Sequence, residues 1–276
     1  MSALFAVIGN PIEHSRSPLI HQTFAEEVGI ELTYERIWAP VGGFSEAVKT
    51  FIDRGGRGMN VTVPFKVDAF ELADQHTARA QRAMAVNTLD FANPEQILGD
   101  NTDGVGLIRD LAFHDVPLTG RRILILGAGG ATRGVLAPLL AQKPAEILIA
   151  NRSPERAYGL VEEFSANQDE TTLRGCPITD IDAQPFDLII NATPASLSNS
   201  LPPLAANVLG AQSVVYDMAY GAEPTVFARW GAEHGARALD GLGMLVEQAA
   251  ESFKRWHGIE PPTARIRALL REQIEQ

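Results

Sequence analysis

Residues 123–134 read ILILGAGGATRG. The aliphatic run closes a strand predicted over Arg121 to Leu126, the chain turns at Gly127-Ala128-Gly129, and a helix is predicted over Thr132 to Gln142. Strand, glycine-rich turn and helix in this order begin a dinucleotide-binding fingerprint. Gly127 permits the tight turn, and Gly129 lets the backbone approach a pyrophosphate seated on the positive helix N-terminus. Thr132 stands where a third Gly or Ala is usual, leaving Gly130, Ala131 and Gly134 to supply the close helix packing. A glycine-rich turn can also simply join strand to helix, so the sequence that follows decides.

The next strand, Glu146 to Ala150, ends in Asn151-Arg152-Ser153-Pro154-Glu155-Arg156. An Asp or Glu at such a tip would bind the ribose hydroxyls of NAD. None is there, and Arg152 and Arg156 suit the additional phosphate of NADP through charge-assisted hydrogen bonds. Ser153 can donate as well and is placed to cap the helix predicted over Ser153 to Ala166. The competing reading makes both arginines solvated surface groups, with Glu155 between them weakening the field.

Outward from this unit, short apolar runs alternate with helical patterns, which defines an α/β fold with mainly parallel sheets. At about 150 residues per domain, the 276 residues make two domains. Ala3 to Ile8 and Gly58 to Val63 read as strands. Ser17-Pro18 opens a helix with Ser17 as N-cap, striped by Ile20, Phe24 and Val28 and closed at Gly29. Phe44, Ala47, Val48, Phe51 and Ile52 follow the spacing of a second amphipathic helix. Phe186 to Ile190 and Ser213 to Tyr216 are further strands, and the uncharged stretch Leu188 to Tyr216 reads as strand, loop, helix and strand. Boundaries fall near Asp103 and Asp240. The last helices, Leu242 to Trp256 and Thr263 to Ile274, fit either domain on pattern alone.

Composition removes several classes. Hydrophobic residues at 45% and charged residues at 21% are too ordinary for a disordered chain. A net charge of −11 argues against a nucleic acid or an anionic membrane surface as partner. The single cysteine, Cys176, allows no intramolecular disulfide and no cysteine-based zinc site, and a reduced, cytoplasmic setting is the default. The apolar start, Met1 to Ile8, is too short and lacks the basic flank of a secretory signal. Asn and Pro residues break Leu188 to Tyr216 below the length of a membrane span. The histidines show no ligand spacing, so no metal is expected.

Polar islands mark the first half. In NVTVPFK, residues 60–66, Asn60 and Thr62 point to one strand face and Val61 and Val63 to the other. With the valines in the core, the polar pair faces a cleft. Lys66 falls in the first turn of a helix, where the dipole opposes a purely structural lysine and makes it a better proton donor and acceptor, although a lysine is more often simply a solvated surface group. Val86-Asn87-Thr88 and Asp100-Asn101-Thr102-Asp103-Gly104 are two more islands, and turn chemistry alone would also explain them. Ser15-Arg16-Ser17 could serve only as helix capping, and Gln248 could be merely exposed.

In order, GNPIEHSRSP, NVTVPFK, AVNTL, DNTDGVG, GAGGATRG, NRSPER, INAT, YDMAY and DGLGMLVEQA resemble the shikimate dehydrogenase family of the bacterial shikimate pathway, from about residue 5 to residue 257. The resemblance implies reversible NADPH-dependent reduction of 3-dehydroshikimate to shikimate. It implies an N-terminal α/β substrate domain, 1–103 with 241–276, and an inserted NADP-binding Rossmann domain, 104–240, with the active site in the cleft between them. By this resemblance Lys66 and Asp103 form the acid–base pair. Substrate contacts fall on Ser15, Ser17, Asn60, Thr62, Lys66, Asn87, Asp103, Tyr220 and Gln248. Nucleotide contacts fall on Gly127, Ala128, Gly129, Gly130, Ala131, Asn151, Arg152, Ser153, Arg156, Thr193, Met218 and Gly241. The partners are then small molecules, and the chain is a monomer or homodimer. Two departures stand out: Thr193-Pro194-Ala195 replaces the small polar run common after INAT, and Ala78 stands where many members carry an acid. The alternatives are a quinate/shikimate dehydrogenase using NAD as well as NADP, and a non-catalytic dinucleotide-binding regulator.

Overall fold

The aliphatic runs become the central strands of two sheets. The computed structural model describes residues 2–93, 95–165 and 170–275, and its contacts divide the chain into two units. One is Met1–Gly106 with Leu245–Leu269, the other Leu107–Met244 with Leu270–Gln276. The sequence draws the lines near 103 and 240, and the family resemblance keeps the whole C-terminus with the first domain. The contacts draw them at 106 and 244 and count Leu270 onward with the second unit. There Arg271 donates twice to the Asp240 carboxylate, at 2.8 Å each.

In the first unit six strands are β1 (Ala3–Gly9), β2 (Leu32–Trp38), β3 (Gly56–Val61), β4 (Gln75–His76), β5 (Thr88–Asp90) and β6 (Leu98–Asp100), ordered β2-β1-β3-β5-β6-β4. β1 pairs parallel with β2 and β3, and β4 with β6, while β5 runs antiparallel to both its neighbours. The twofold side-chain period serves two cores. Phe5 and Val7 of β1 cluster with Ile12 and Tyr34, whereas Ala6 and Ile8 cluster with Phe44, Phe51 and Phe65. The helices here are α1 (Ser17–Val28), α2 (Phe44–Asp53), α3 (Lys66–Leu72) and α4 (Ala78–Ala83), and α5 (Asp103–Phe113) starts in this unit.

Two sequence expectations change in this unit. β3 stops at Val61, and Val63 is 62% exposed rather than in the core. The chain turns there because Phe65 N–H donates to Thr62 O and Asn10 N–H to Val63 O. Ser17 is the first residue of α1 rather than its cap; Arg16 occupies the cap position and makes no side-chain capping bond. Gly29 ends α1 in the left-handed conformation, φ 72°, as expected.

The second unit holds β7 (Arg122–Leu126), β8 (Glu146–Asn151), β9 (Thr172–Pro177), β10 (Phe186–Asn191), β11 (Leu209–Asp217) and β12 (Arg237–Asp240). All are parallel, in the order β12-β11-β10-β7-β8-β9. Both faces are covered, which is why four consecutive aliphatic residues fit β7. Ile123 and Ile125 pack with Leu107, Leu111 and Val135, and Leu124 and Leu126 pack with Phe227 and Trp230. Helices α6 (Gly130–Leu140), α7 (Pro154–Phe164) and α8 (Val226–Glu233) belong here, followed by α9 (Leu242–His257) and α10 (Ala264–Glu275). The helix expected between Leu188 and Tyr216 is replaced by two short 3₁₀ turns, Pro194–Ser198 and Ala206–Val208. Prolines 202 and 203 lack the donors a longer helix requires. The expected end of the helix at Ala166 lies outside the described residues. Among the described residues no helix is long and apolar enough to cross a membrane.

His21 of α1 is fully buried, stacked on Tyr34 at 4.5 Å between ring centroids and tilted against Trp256 at 5.3 Å. Burial pushes its pKa down to about 3. The folded chain therefore keeps it neutral while the unfolded chain protonates it below about pH 6.5, so its contribution is full above that pH and is lost as pH falls toward 3. Between pH 7 and 5 this group alone should remove about 2 kcal/mol of stability. Urea unfolding of wild type and His21→Phe at both pH values tests this: the wild type should lose about 2 kcal/mol more than the variant. Equal losses would remove His21 as the source.

Candidate active site

Lys66 opens α3 and Asp103 opens α5. The Lys66 Nζ donates to Asp103 Oδ2 at 2.6 Å, with the side chains 29% and 11% exposed. The other carboxylate oxygen, Asp103 Oδ1, accepts from Asn87 Nδ2 at 2.8 Å. Asn87 is itself fixed. Its Oδ1 accepts from the Thr102 N–H at 2.9 Å, and its Nδ2 also lies 3.2 Å from Gln248 Oε1 on α9. The backbone keeps the segments in register, Val86 N–H donating to Lys66 O at 2.8 Å. Lys66, Asn87, Asp103 and Gln248, four islands far apart in sequence, thus form one connected group.

Asn60 joins it from below. It is buried, its Oδ1 accepts from the Tyr34 hydroxyl at 2.7 Å, and its Nδ2 faces Ser252 Oγ at 3.0 Å and Thr88 Oγ1 at 3.2 Å. Its amide is engaged by neighbours, so it supports the site as much as it faces it. Thr62 is half-buried just past β3. Its N–H donates to Ile8 O at 3.0 Å, and its Cγ2 lies 2.5 Å from where a Cβ on Gly9 would stand. Only glycine lets the serine-bearing loop lie this close. In that loop Ser15 Oγ and Ser17 Oγ are 3.2 Å apart, and Arg36 clamps the Ser15 carbonyl from two nitrogens, at 2.6 and 3.0 Å.

The whole arrangement hangs on Asp100, whose side chain is fully buried. Arg79 grips both carboxylate oxygens at 2.6 Å, Arg255 of α9 adds a bond of 2.7 Å, and the Thr77 hydroxyl one of 2.6 Å. Burial opposes the charge, but Arg79 foremost, then Thr77 and Arg255, hold the carboxyl down at about 2. From Asp100 the order passes along the chain. Its carbonyl accepts from Asn87 N–H at 3.0 Å, and Asn101 Oδ1 accepts from Asp103 N–H while Asn101 Nδ2 donates to Ala85 O. Tyr34, Arg79, Ser252 and Arg255 are the members that sequence reasoning missed, and Asn101 and Thr102 were marked only as part of the island 100–104. Ser252 could have been found, one turn from Gln248 on the same helix; the arginines carried no signal of their own.

In the second unit the order of strands reverses at β7, flanked by β8 and β10, the place where open α/β sheets bind ligands. Gly127 follows β7 with φ 102°. Thr132 resolves its own departure from the fingerprint: it is buried, and its hydroxyl donates to the Gly127 carbonyl at 2.7 Å, closing the turn with a hydrogen bond. α6 starts at Gly130, two residues earlier than expected. A Cβ on Gly129 or Gly130 would meet nothing within 4 Å, so open space lies before the helix N-terminus. Arg152, Ser153 and Arg156 are exposed. Ser153 occupies the cap position of α7 without the expected side-chain bond, its carbonyl accepting from Asn151 Nδ2 at 2.9 Å. Arg156 N–H donates to Ser153 O at 3.2 Å, and neither arginine's side chain has an ion pair or hydrogen bond among the described residues. Thr193 borders Gly127, Met218 follows β11 with its N–H on Asn191 O, and Gly241 N–H donates to Ala219 O at 3.2 Å. A Cβ on Gly241 would stand 2.2 Å from Met218 O. Tyr220 belongs to this unit, whereas the other residues expected at the substrate belong to the first.

A parallel sheet with a glycine turn at its switch point, in one chain with a shielded lysine–carboxylate pair, defines an α/β oxidoreductase. Three family models match: the shikimate dehydrogenase substrate binding domain over residues 7–89, shikimate/quinate 5-dehydrogenase over 110–199, and the shikimate 5'-dehydrogenase C-terminal domain over 241–271. A shikimate dehydrogenase (NADP(+)) of Aromatoleum aromaticum is 52% identical over 273 residues, 98% of each chain. The crystal structure of an Ael1 enzyme from Pseudomonas putida aligns with a TM-score of 0.91 at 44% identity, covering 98% of both chains. That of shikimate 5-dehydrogenase from Thermus thermophilus, in complex with NADP(H) and shikimate, aligns with a TM-score of 0.87 at 33% identity, covering 98% of this chain and 99% of that one. The chain belongs to the shikimate dehydrogenase family.

The Asp100 cluster carries a stability expectation. Arg79→Met leaves a buried carboxylate with one arginine, and breaking a buried pair from one side removes roughly 3–5 kcal/mol. Because Arg255 remains, a loss of about 3 kcal/mol in urea unfolding at pH 7 is expected. A loss below about 1 kcal/mol, the range of exposed pairs, would show that Arg255 alone suffices.

Proposed function

We propose that this protein catalyses the reversible reduction of 3-dehydroshikimate to shikimate with NADPH. The observation that carries the reading is the 2.6 Å contact between Lys66 and Asp103, shielded by Asn87 and Gln248. A lysine held beside a carboxylate in a partly buried polar group is built for proton transfer to a small polyol.

The residues of the second unit fit NADP. Open space before α6 accommodates a pyrophosphate on Gly129, Gly130 and Ala131. The Arg152 and Arg156 side chains, exposed and without partners among the described residues, suit the ribose phosphate, with Asn151 and Ser153 beside them. Thr193, Met218 and Gly241 complete the nucleotide-side set. When bound, NADPH supplies the hydride.

In the first unit the Ser15 and Ser17 hydroxyls take the substrate carboxylate, and Asn60, Thr62, Asn87 and Gln248 its ring hydroxyls. Such a set rejects analogues that lack a matching hydroxyl, because buried donors would be left unpaired. As charge develops on the ketone oxygen, the Lys66 ammonium stabilises it and delivers a proton, while Asp103, fixed by Asn87, aims the ammonium and favours its charged form before the transfer. In the oxidative direction Lys66 takes the proton back. The lone, half-buried Cys176 fits a reduced cytoplasm, and the chain acts as a monomer or homodimer on small molecules.

Shikimate-dependent NADPH formation, followed by absorbance, is the direct test. Lys66→Ala should lower turnover by about 10²–10⁴; near wild-type turnover would remove Lys66 from the mechanism. Arg152→Ala should lower kcat/KM for NADP by about 10–100-fold, the worth of a hydrogen bond to a charged group, and leave that for NAD nearly unchanged. Equal efficiency of the wild type with NAD and NADP, or good turnover of quinate, would favour the broader quinate/shikimate activity.

A further inference from the structure

The loop after Asn191 departs from the pattern this chain otherwise resembles, at Thr193-Pro194-Ala195. It is organised by a carboxylate outside the expected site. Asp217, the last residue of β11, is fully buried and makes no ion pair among the described residues. Such a charge is tolerated only when its lone pairs are filled. Here four donors fill them: Asn191 Nδ2 at 3.2 Å, the Ser196 hydroxyl at 2.5 Å, the Thr225 hydroxyl at 2.6 Å and the Ala219 N–H at 3.0 Å.

These donors come from the last residue of β10, from the segments that follow β10 and β11, and from the cap of α8, where Thr225 Oγ1 also accepts from Ala228 N–H. The grip reaches the glycine turn in two steps. Asn191 Oδ1 accepts from the Thr193 N–H at 3.1 Å and from its hydroxyl at 2.6 Å. The Thr193 Cγ2 then stands 3.0 Å from where a Cβ of Gly127 would be. Pro194 and Ala195 carry no side-chain donor, so the loop's own hold on Asp217 is Ser196, which also accepts from Asn191 Nδ2 at 3.2 Å.

We propose that Asp217 and Ser196 are positioning residues for the nucleotide: the carboxylate holds Asn191 and Ser196, and these press Thr193 against Gly127 to form the wall along which the dinucleotide lies. This rests on the reading that the second unit binds NADP(H). Neither residue touches the nucleotide in this scheme. The loop's unusual sequence is compatible with binding because the hydroxyl at 196 replaces what residues 194 and 195 lack.

NADPH binding to the full chain, followed by nucleotide fluorescence without substrate, separates the possibilities. Ser196→Ala should raise the NADPH Kd by about 10–100-fold, the range of one hydrogen bond to a charged group. Its melting temperature should stay within a few degrees of wild type, and its shikimate KM at saturating NADP within about twofold, as fits a partly exposed loop residue. Ser196→Thr, which keeps the hydroxyl, should restore the Kd, and Asp217→Asn should raise it at least as far as Ser196→Ala. An unchanged Kd in Ser196→Ala, with wild type binding normally, overturns the positioning role and leaves the nucleotide reading standing. Absence of NADPH binding by the wild type overturns both.

Discussion

A single buried negative charge sets the geometry of the first unit. Asp100 lies where water does not reach, and it is tolerated because two arginines and a threonine hydroxyl meet it. Those partners come from the start of α4, from the segment before it, and from the distant α9. Satisfying one carboxylate therefore fixes three pieces of chain at once. The residues that follow Asp100 inherit that order, and Asp103 is the third of them. The Lys66–Asp103 pair is held in place because a charge three residues before Asp103 has nowhere else to go.

Much of this was legible in the sequence, and the limits have physical reasons. The second sheet could be read because strands buried on both faces must be aliphatic throughout, as in β7 and β10. The first sheet was only half readable: β5 and β6 are three residues each, too short for a period to show. The turn after Thr62 was misjudged because alternation continues on paper to Val63 while the backbone leaves the sheet at Val61. The islands at 60, 87, 103 and 248 were visible as polar residues beside apolar runs, and the structure joins them. What no local pattern could show is the support behind them. Arg255 and Asp100 are 155 positions apart, and an arginine destined for a buried carboxylate looks in sequence like one destined for water.

The two units handle a buried carboxylate in opposite ways. Asp100 is met by cations, which lock it by charge and bring distant helices together. Asp217 is met by hydroxyls, an amide and a backbone N–H, which are local and directional. The first solution suits a rigid platform. The second suits a cluster of loops at strand ends, where short donors on neighbouring turns can be drawn to one point without importing positive charge.

Thr132 has a bearing on how such folds are recognised at all. A glycine in the third place of the fingerprint works by leaving room; a threonine there works by bonding to the first glycine's carbonyl. Emptiness and a hydroxyl are chemically unlike but serve the same turn. A search string that demands three glycines would therefore discard chains like this one, whereas one that asks what closes the loop, space or a short donor, would retain them.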